Sequence, residues 1–191
     1  MMEVVKLAVL DTSVILCGLA FPESDSGILL QGVIDHKLVG TISNKIICEL
    51  ETISNSKAPW LVPQINEFIY GYCTIVNISQ DDIDAVCVHT SDNDDIHVIA
   101  AARVSNEQTI YTLDTGFFSN KMKNVTNEYG IEAQFPSNEL FGKTPLEHVI
   151  DYSAYYKQTK YISGAITLTL TSTWNSIDMK HINKKWENNN F

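Results

Sequence analysis

The sequence predicts an α/β protein with three layers, in which a mainly parallel central sheet lies between helices on both faces. Three observations indicate this class. Short apolar runs of strand length alternate with longer segments of helical periodicity, from residue 4 to residue 142. The first run, VVKLAVL, is almost entirely apolar, as expected for a strand buried on both faces. Two of the runs are followed by an aspartate, Asp11 after the first and Asp114 after TIYTL.

Each strand-like run is separated from the next by a segment with helical spacing. The predicted strands are VVKLAVL (4–10), LVGTI (38–42), TIVNI (74–78), TIYTL (109–113) and IEAQF (131–135). The predicted helices are TSVILCGLA (12–20), SGILLQGVIDHK (26–37), NKIICELETI (44–53), WLVPQINEFIYGY (60–72), QDDIDAVCVH (80–89), IHVIAAARV (96–104) and PSNELFG (136–142). Ser43 is suited to cap the helix that follows it. This strand–helix order predicts parallel strands joined by helical crossovers.

The C-terminal part has a different pattern. Up to Lys143 the chain has 19 acidic and 8 basic residues, and from Thr144 onward it has 4 acidic and 5 basic residues. YISGAITLTLTS (161–172) alternates apolar and polar positions, which predicts a half-buried strand or hairpin, and SIDMKHINKKW (176–186) predicts a basic helix. We therefore predict a main domain at 1–144 and a C-terminal extension at 145–191.

Composition limits the function classes. The net charge of −10 argues against unspecific binding of nucleic acid over the whole surface. The N-terminus has no secretory layout, and no window reaches the length of a membrane span. The four cysteines lack a CxxC spacing and lie in apolar segments. They predict reduced, buried thiols of a cytoplasmic protein and disfavour a zinc site.

Acidic residues are the candidates for chemistry. Asp11 and Asp114 belong at the carboxyl edge of the sheet, where ligands bind in such folds. The stretch SDNDD places Asp92, Asp94 and Asp95 directly before an apolar helix. Ser91 and one or two acids fit a capping box there, and a third acid is left without that explanation. An isolated Asp11 has the same alternative, since an aspartate after a strand often caps the next helix.

A fourth acid comes from the helix after the second strand. Glu49 lies at the border of the apolar stripe of that helix and Glu51 flanks its other side, so helix geometry does not choose between them. Carboxylates that converge without partners repel one another, and a divalent cation relieves the repulsion. Oxygen ligands without His or Cys predict Mg²⁺ or Mn²⁺.

Four segments together resemble the PIN-domain family of metal-dependent nucleases, whose members include toxins of toxin–antitoxin pairs. The resemblance runs from about Leu7 to about Gly142, and the matching segments are LAVLDTSV (7–14), IICELE (46–51), DDIHVIAAA (94–102) and YTLDTGFF (111–118). The resemblance implies catalytic acids at Asp11, Glu49, Asp95 and Asp114, of which Asp11, Asp95 and Asp114 hold the metal. It also implies supporting roles for Ser13 and Thr112.

The chain departs from the family pattern at one position. Many relatives carry a second acid two residues after the one that matches Asp114, and here that residue is Gly116. Asp92 or Asp94 can compensate. We therefore expect one Mg²⁺ (or Mn²⁺) ion and leave a second one open.

The resemblance implies hydrolysis of RNA phosphodiesters that leaves a 5′-phosphate, in a toxin or an RNA-processing enzyme. Arg103, Lys184 and Lys185 are the candidate substrate-binding residues. Aromatic residues among the tail lysines suit single-stranded RNA, and they suit packing of the tail onto the main domain or onto a second subunit of a homo-oligomer somewhat better. An antitoxin or another protein partner is expected, and a membrane is not. The alternatives are a degenerate PIN module that binds RNA or protein without cleavage and, less favoured, a flavodoxin-like phosphoacceptor domain.

Overall fold

A five-stranded, all-parallel sheet forms the centre of the protein in a computed structural model that describes residues 6–87 and 95–141. Its strands are β1 (Lys6–Leu10), β2 (Leu38–Ser43), β3 (Thr74–Val76), β4 (Thr109–Tyr111) and β5 (Glu132–Gln134). The order across the sheet is β3-β2-β1-β4-β5. In register, Val9 of β1 pairs with Thr41 of β2 on one side and with Ile110 of β4 on the other. The predicted parallel α/β architecture is therefore confirmed.

The helices follow the strands in the predicted order. They are α1 (Thr12–Ala20), α2 (Asp25–Ile34), α3 (Asn44–Lys57), α4 (Val62–Tyr72), α5 (Gln80–Cys87), α6 (Ile96–Ser105), α7 (Asn120–Glu128) and α8 (Pro136–Phe141), with 3₁₀ turns at Pro59–Leu61 and Thr115–Phe118. Ser43 caps α3 as predicted, since its side chain accepts a hydrogen bond from the amide of Ile46. Helix α7 was missed because Met122 and Val125 are its only large apolar residues and asparagines interrupt them.

Neighbouring residues of β2 show that helices cover both faces of the sheet. A Cβ on Gly40 would lie 2.7 Å from Leu10 and 3.2 Å from Val33, so the close packing of α2 requires a glycine there. The next residue, Thr41, faces the opposite side, where its hydroxyl donates to Glu107 at the end of α6. The side chains of Ala8, Val9 and Leu10 in the central strand are buried, as its apolar run predicted, whereas Leu7 is 55% exposed.

Several expectations concern other parts of the chain. The C-terminal extension 145–191, the domain boundary at residue 144, and the residues Ser91, Asp92, Asp94, Lys184 and Lys185 lie outside the described residues. Within the described ranges, no single helix has both the length and the apolar character to cross a membrane. Helices α1 and α2, bent by 95° where they meet, satisfy that criterion as a pair, and both contribute to the buried core.

Candidate functional site

The candidate site lies where the direction of chain connection reverses. From β1 the chain continues to β2 and β3 on one side of the sheet, and β4 and β5 lie on the other side. The carboxyl ends of β1 and β4 therefore form the crevice at which ligands bind in open parallel sheets. Asp11 directly follows β1, and Asp114 lies three residues beyond the end of β4. The amide of Asp11 donates to the carbonyl of Tyr111 at 3.0 Å, which joins the two strand ends.

Asp11 is buried, with 6% of its surface exposed. Its Oδ2 atom accepts hydrogen bonds from Ser13 Oγ at 2.5 Å and from Thr112 Oγ1 at 2.8 Å. Burial raises the pKa of Asp11 against the effect of these two hydroxyls, and the charges of Glu49 and Asp114 add to the rise. Asp11 occupies the N-cap position of α1, but its side chain makes no capping hydrogen bond. Capping of α1 therefore does not explain this carboxylate.

Ser13 and Thr112 connect Asp11 to the loop after β4. Ser13 Oγ accepts from the amide of Leu113 at 3.0 Å, and Thr112 Oγ1 accepts from the amide of Asp114 at 2.9 Å. Both hydroxyls are buried and each has a defined donor role toward Asp11. The two residues predicted to support the carboxylates thus lie between Asp11 and Asp114.

Asp114 begins the 3₁₀ turn Thr115–Phe118. Its Oδ1 atom accepts from the amide of Gly116 at 2.7 Å, which fixes the orientation of the carboxylate. A Cβ on Gly116 would lie 3.1 Å from Oδ1 and 3.4 Å from Oδ2, closer than ordinary contacts. The glycine that departs from the family pattern therefore packs directly against this acid.

Asp95 lies at the N-cap position of α6, next to Asp114. It makes no side-chain capping hydrogen bond, and its carboxyl group shares a hydrogen bond with Asp114. Burial first, and then the charges of Asp114 and Asp11, raise the pKa of Asp95 to about 9. Asp95 therefore carries a proton at neutral pH. This is the behaviour of carboxylates that are forced together.

Glu49 reaches the site from α3. Its Oε2 atom accepts from Thr12 Oγ1 at 2.6 Å and lies 3.4 Å from His97 Nε2. Burial works to raise the pKa of Glu49, but the imidazole of His97 and the hydroxyl of Thr12 lower it overall. Glu51 is exposed on the same helix. The structure therefore brings Glu49, and not Glu51, to the other acids.

Sequence reasoning missed Thr12 and His97. His97 was interpreted as a structural residue of an apolar helix, and Thr12 was not considered. The only signal for either was its position, directly after Asp11 and two residues after Asp95. Their contact with Glu49 depends on how α1, α3 and α6 meet, which local patterns do not contain.

Arg103, in contrast, is not brought to the acids. It lies eight residues after Asp95 on α6, roughly 12 Å along the helix axis, and its guanidinium lies 5.8 Å from the ring centre of Tyr129. A separate cleft of about 480 Å³ between α2 and α8 is lined by residues that include Lys6, Asp35 and Glu139, and by none of the four acids. The carboxylate crevice is thus the candidate site.

The donor chemistry of the site suits a hard divalent cation. All four acids supply oxygen, and a cation would replace the proton that Asp95 carries. In residues 6–87 and 95–141, no three His, Cys, Asp or Glu side chains are spaced to hold an ion directly. Mg²⁺ commonly binds through one or two carboxylates and keeps several waters, so the residues fit it without a complete protein cage.

Comparison with known families gave one match. The model of the family described as PIN domain matches residues 7–116, more than half of the chain, and this span contains all four acids. The same comparisons gave no significant match among curated proteins or among solved structures.

Proposed function

The chain belongs to the PIN-domain family, whose members are generally nucleases, and on this premise we propose that it is a Mg²⁺- or Mn²⁺-dependent endoribonuclease. The observation that carries the proposal is the convergence of Asp11, Glu49, Asp95 and Asp114 from four separate elements. Burial raises the pKa of Asp95 and the charges of the other three acids raise it further, an arrangement that destabilises the fold and therefore needs a functional reason.

Asp11, Asp95 and Asp114 would hold a hydrated cation, at least one of them through a coordinated water, since no three such side chains of the described residues are spaced to hold an ion directly. A bound divalent cation lowers the pKa of a coordinated water and offsets negative charge on the attacked phosphate. Ser13 and Thr112 fix Asp11 through its Oδ2 atom, which leaves Oδ1 without a hydrogen bond from the described residues. The amide of Gly116 fixes the orientation of the Asp114 carboxylate through a hydrogen bond to its Oδ1 atom.

Glu49 has a different task in this proposal. Thr12 and His97 lower its pKa, so it is ionised at neutral pH, and 40% of its side chain is exposed. A fixed, ionised carboxylate at the border of the site can accept a hydrogen bond from the attacking water and orient it. No side chain of the protein acts as a nucleophile.

The test is cleavage of a structured RNA in Mn²⁺, in Mg²⁺ and in EDTA. We expect cleavage with either cation, products that carry a 5′-phosphate, and no cleavage in EDTA or by the Asp11→Asn variant. Asp81→Asn, which changes an exposed acid of α5, is the matched control and should cleave as the unmodified protein does. Cleavage by Asp11→Asn at the unmodified rate would refute the proposed site.

A second candidate is a PIN module that binds RNA or protein without cleavage. Gly116 favours it, because an acid found in many relatives is missing, and so does the net charge of −10. RNA binding without cleavage in either cation would support this candidate.

Two cellular roles fit the nuclease: a toxin restrained by an antitoxin protein, and an RNA-processing enzyme. Growth arrest on expression, relieved by a co-expressed small protein, would indicate the first role. Asp11→Asn is the control in that experiment, because a toxin that acts by cleavage should lose its effect with this change.

A further inference from the structure

A nuclease with an excess of acids needs cations that hold its substrate, and most described cations are already engaged. Lys6 Nζ lies 2.6 Å from Glu139, and Lys37 Nζ lies 2.9 Å from Asp35. Arg103 stacks on Tyr129. Lys57 and Lys121 also interact with other groups of the protein. Interactions within the protein thus engage five of the positive side chains in the described residues.

Two lysines, Lys45 and Lys123, are exposed and make no side-chain contact of this kind with the described residues. Lys123 lies in α7, nine residues beyond Asp114. Lys45, in contrast, lies on the same helix as one of the four acids. It is the second residue of α3, and Glu49 follows it by four positions, one turn along the same helix. Residues at this spacing lie on the same face, with Cβ atoms about 6 Å apart.

The topology also places Lys45 at the correct edge of the sheet. Helix α3 begins directly after β2, which pairs with β1 in parallel. The first turn of α3 therefore lies beside the carboxyl end of β1, where Asp11 follows the strand. The backbone of Lys45 thus lies at the same edge of the sheet as Asp11, on the β2 side.

The helix dipole does not explain a lysine at this position, and the i, i+4 spacing to Glu49 supports only a small stabilisation. A positive charge in the first turn of a helix is opposed by the helix dipole, and Lys45 has no carboxylate partner in the described part of the chain. Lys57, in the last turn of the same helix, is placed where the dipole favours a cation. The helix dipole therefore disfavours the charge of Lys45 and favours the charge of Lys57.

We propose that Lys45 binds a backbone phosphate of single-stranded RNA, next to the phosphate attacked at the carboxylate site. This inference rests on the proposed nuclease function and gives it a substrate contact that sequence reasoning had sought in Arg103. A single ammonium one turn from Glu49 holds the strand in register without reading its sequence. Its contribution is therefore electrostatic and depends on salt.

The experiment compares full-length Lys45→Gln with full-length Lys57→Gln. The dissociation constant for a single-stranded RNA is measured in EDTA at several salt concentrations, and each melting temperature is recorded. For Lys45→Gln we expect weaker binding by about five- to tenfold, with the slope of log affinity against log salt reduced by about 0.7. Its melting temperature should be unchanged or higher. Lys57→Gln should bind RNA as the unmodified protein does. Lys45→Arg keeps the positive charge and should also bind RNA as the unmodified protein does.

Two results would overturn the inference and can be told apart. Unchanged affinity and salt slope in Lys45→Gln, while the unmodified protein binds and cleaves RNA, would remove Lys45 and leave the nuclease proposal intact. An unmodified protein that neither binds nor cleaves RNA would overturn both. A fall in the melting temperature of Lys45→Gln with unchanged binding would assign the lysine a structural role and also contradict the inference.

Discussion

Thr112 and Asp11 are separated by 101 residues in sequence and joined by a hydrogen bond of 2.8 Å from Thr112 Oγ1 to Asp11 Oδ2. The same hydroxyl accepts from the amide of Asp114. One buried oxygen atom thus sets the position of two acids on neighbouring strands. The positions of Asp11 and Asp114 are consequently coupled, and a change at Thr112 should affect both.

The first prediction concerns this hydroxyl. Thr112→Val keeps the shape of the side chain but removes a donor to a buried carboxylate and the acceptor of a buried amide. We expect a loss of about 1–3 kcal/mol in the free energy of unfolding, together with slower RNA cleavage. Chemical denaturation in EDTA measures the first effect and a cleavage assay the second. Thr112→Ser retains the hydroxyl and should lose little of either, and equal behaviour of the two variants would contradict the prediction.

The second prediction concerns pH. The pKa of Asp95 is raised from its ordinary value of 3.8 to about 9 by burial and by the neighbouring acids, so the folded protein holds a proton that the unfolded chain releases. The stability associated with Asp95 is fully present below about pH 4 and is lost as the pH rises toward 9. Without metal, Asp95→Asn should therefore be as stable as the unmodified protein at low pH and more stable at pH 8.

Denaturation in EDTA between pH 5 and pH 9 measures this difference. It should grow by no more than about 1.4 kcal/mol for each pH unit. Asp81→Asn should follow the unmodified protein throughout, because Asp81 is exposed on α5. Asp95→Asn should also abolish cleavage. Loss of stability together with retained cleavage would instead mean that Asp95 caps α6.

The third prediction uses the two glutamates of α3 as a matched pair. Glu49→Gln keeps an acceptor for Thr12 but removes the charge near His97, and it should slow cleavage by at least about 100-fold. Its melting temperature should change little, because the side chain is partly exposed. Glu51→Gln should cleave at the unmodified rate, since Glu51 faces solvent. A stronger effect at Glu51 than at Glu49 would overturn the assignment.

Sequence patterns predict those parts of this protein that depend on local periodicity. The apolar β1 run and the helical spacing of α6 are sufficient to expect a parallel sheet, and acids after β1 and β4 must then share an edge. The contacts of Glu49 with Thr12 and His97 depend on how three helices pack, so no single segment contains them. Arg103 shows the same limit, because its contact with the ring of Tyr129 depends on tertiary packing.

Helix α7 illustrates a second limit, which is energetic. Its sequence is polar apart from Met122 and Val125, and tertiary contacts of Met122, Val125 and Thr126 with the core stabilise it. Its clearest local signal is Ser119, whose side chain accepts from the amide of Met122 and caps the helix. A capping residue before a polar segment predicts a helix less strongly than an apolar stripe does.

The fourth prediction concerns Gly116, the departure from the family pattern. A Cβ at this position would lie 3.1 Å from Asp114 Oδ1, so Gly116→Ala must displace that carboxylate by a few tenths of an ångström. The displacement disturbs the hydrogen bond between Asp114 and Asp95. We therefore expect cleavage to slow by about tenfold, while the free energy of unfolding changes by less than about 0.5 kcal/mol.

Gly32→Ala is the control. The space around Gly32 in α2 is empty within 4 Å, so this change should stabilise the protein by about 0.5–1 kcal/mol and leave cleavage unchanged. Unmodified cleavage by Gly116→Ala would show that the site tolerates a side chain there, and the missing acid would then need an explanation other than the close packing of Asp114.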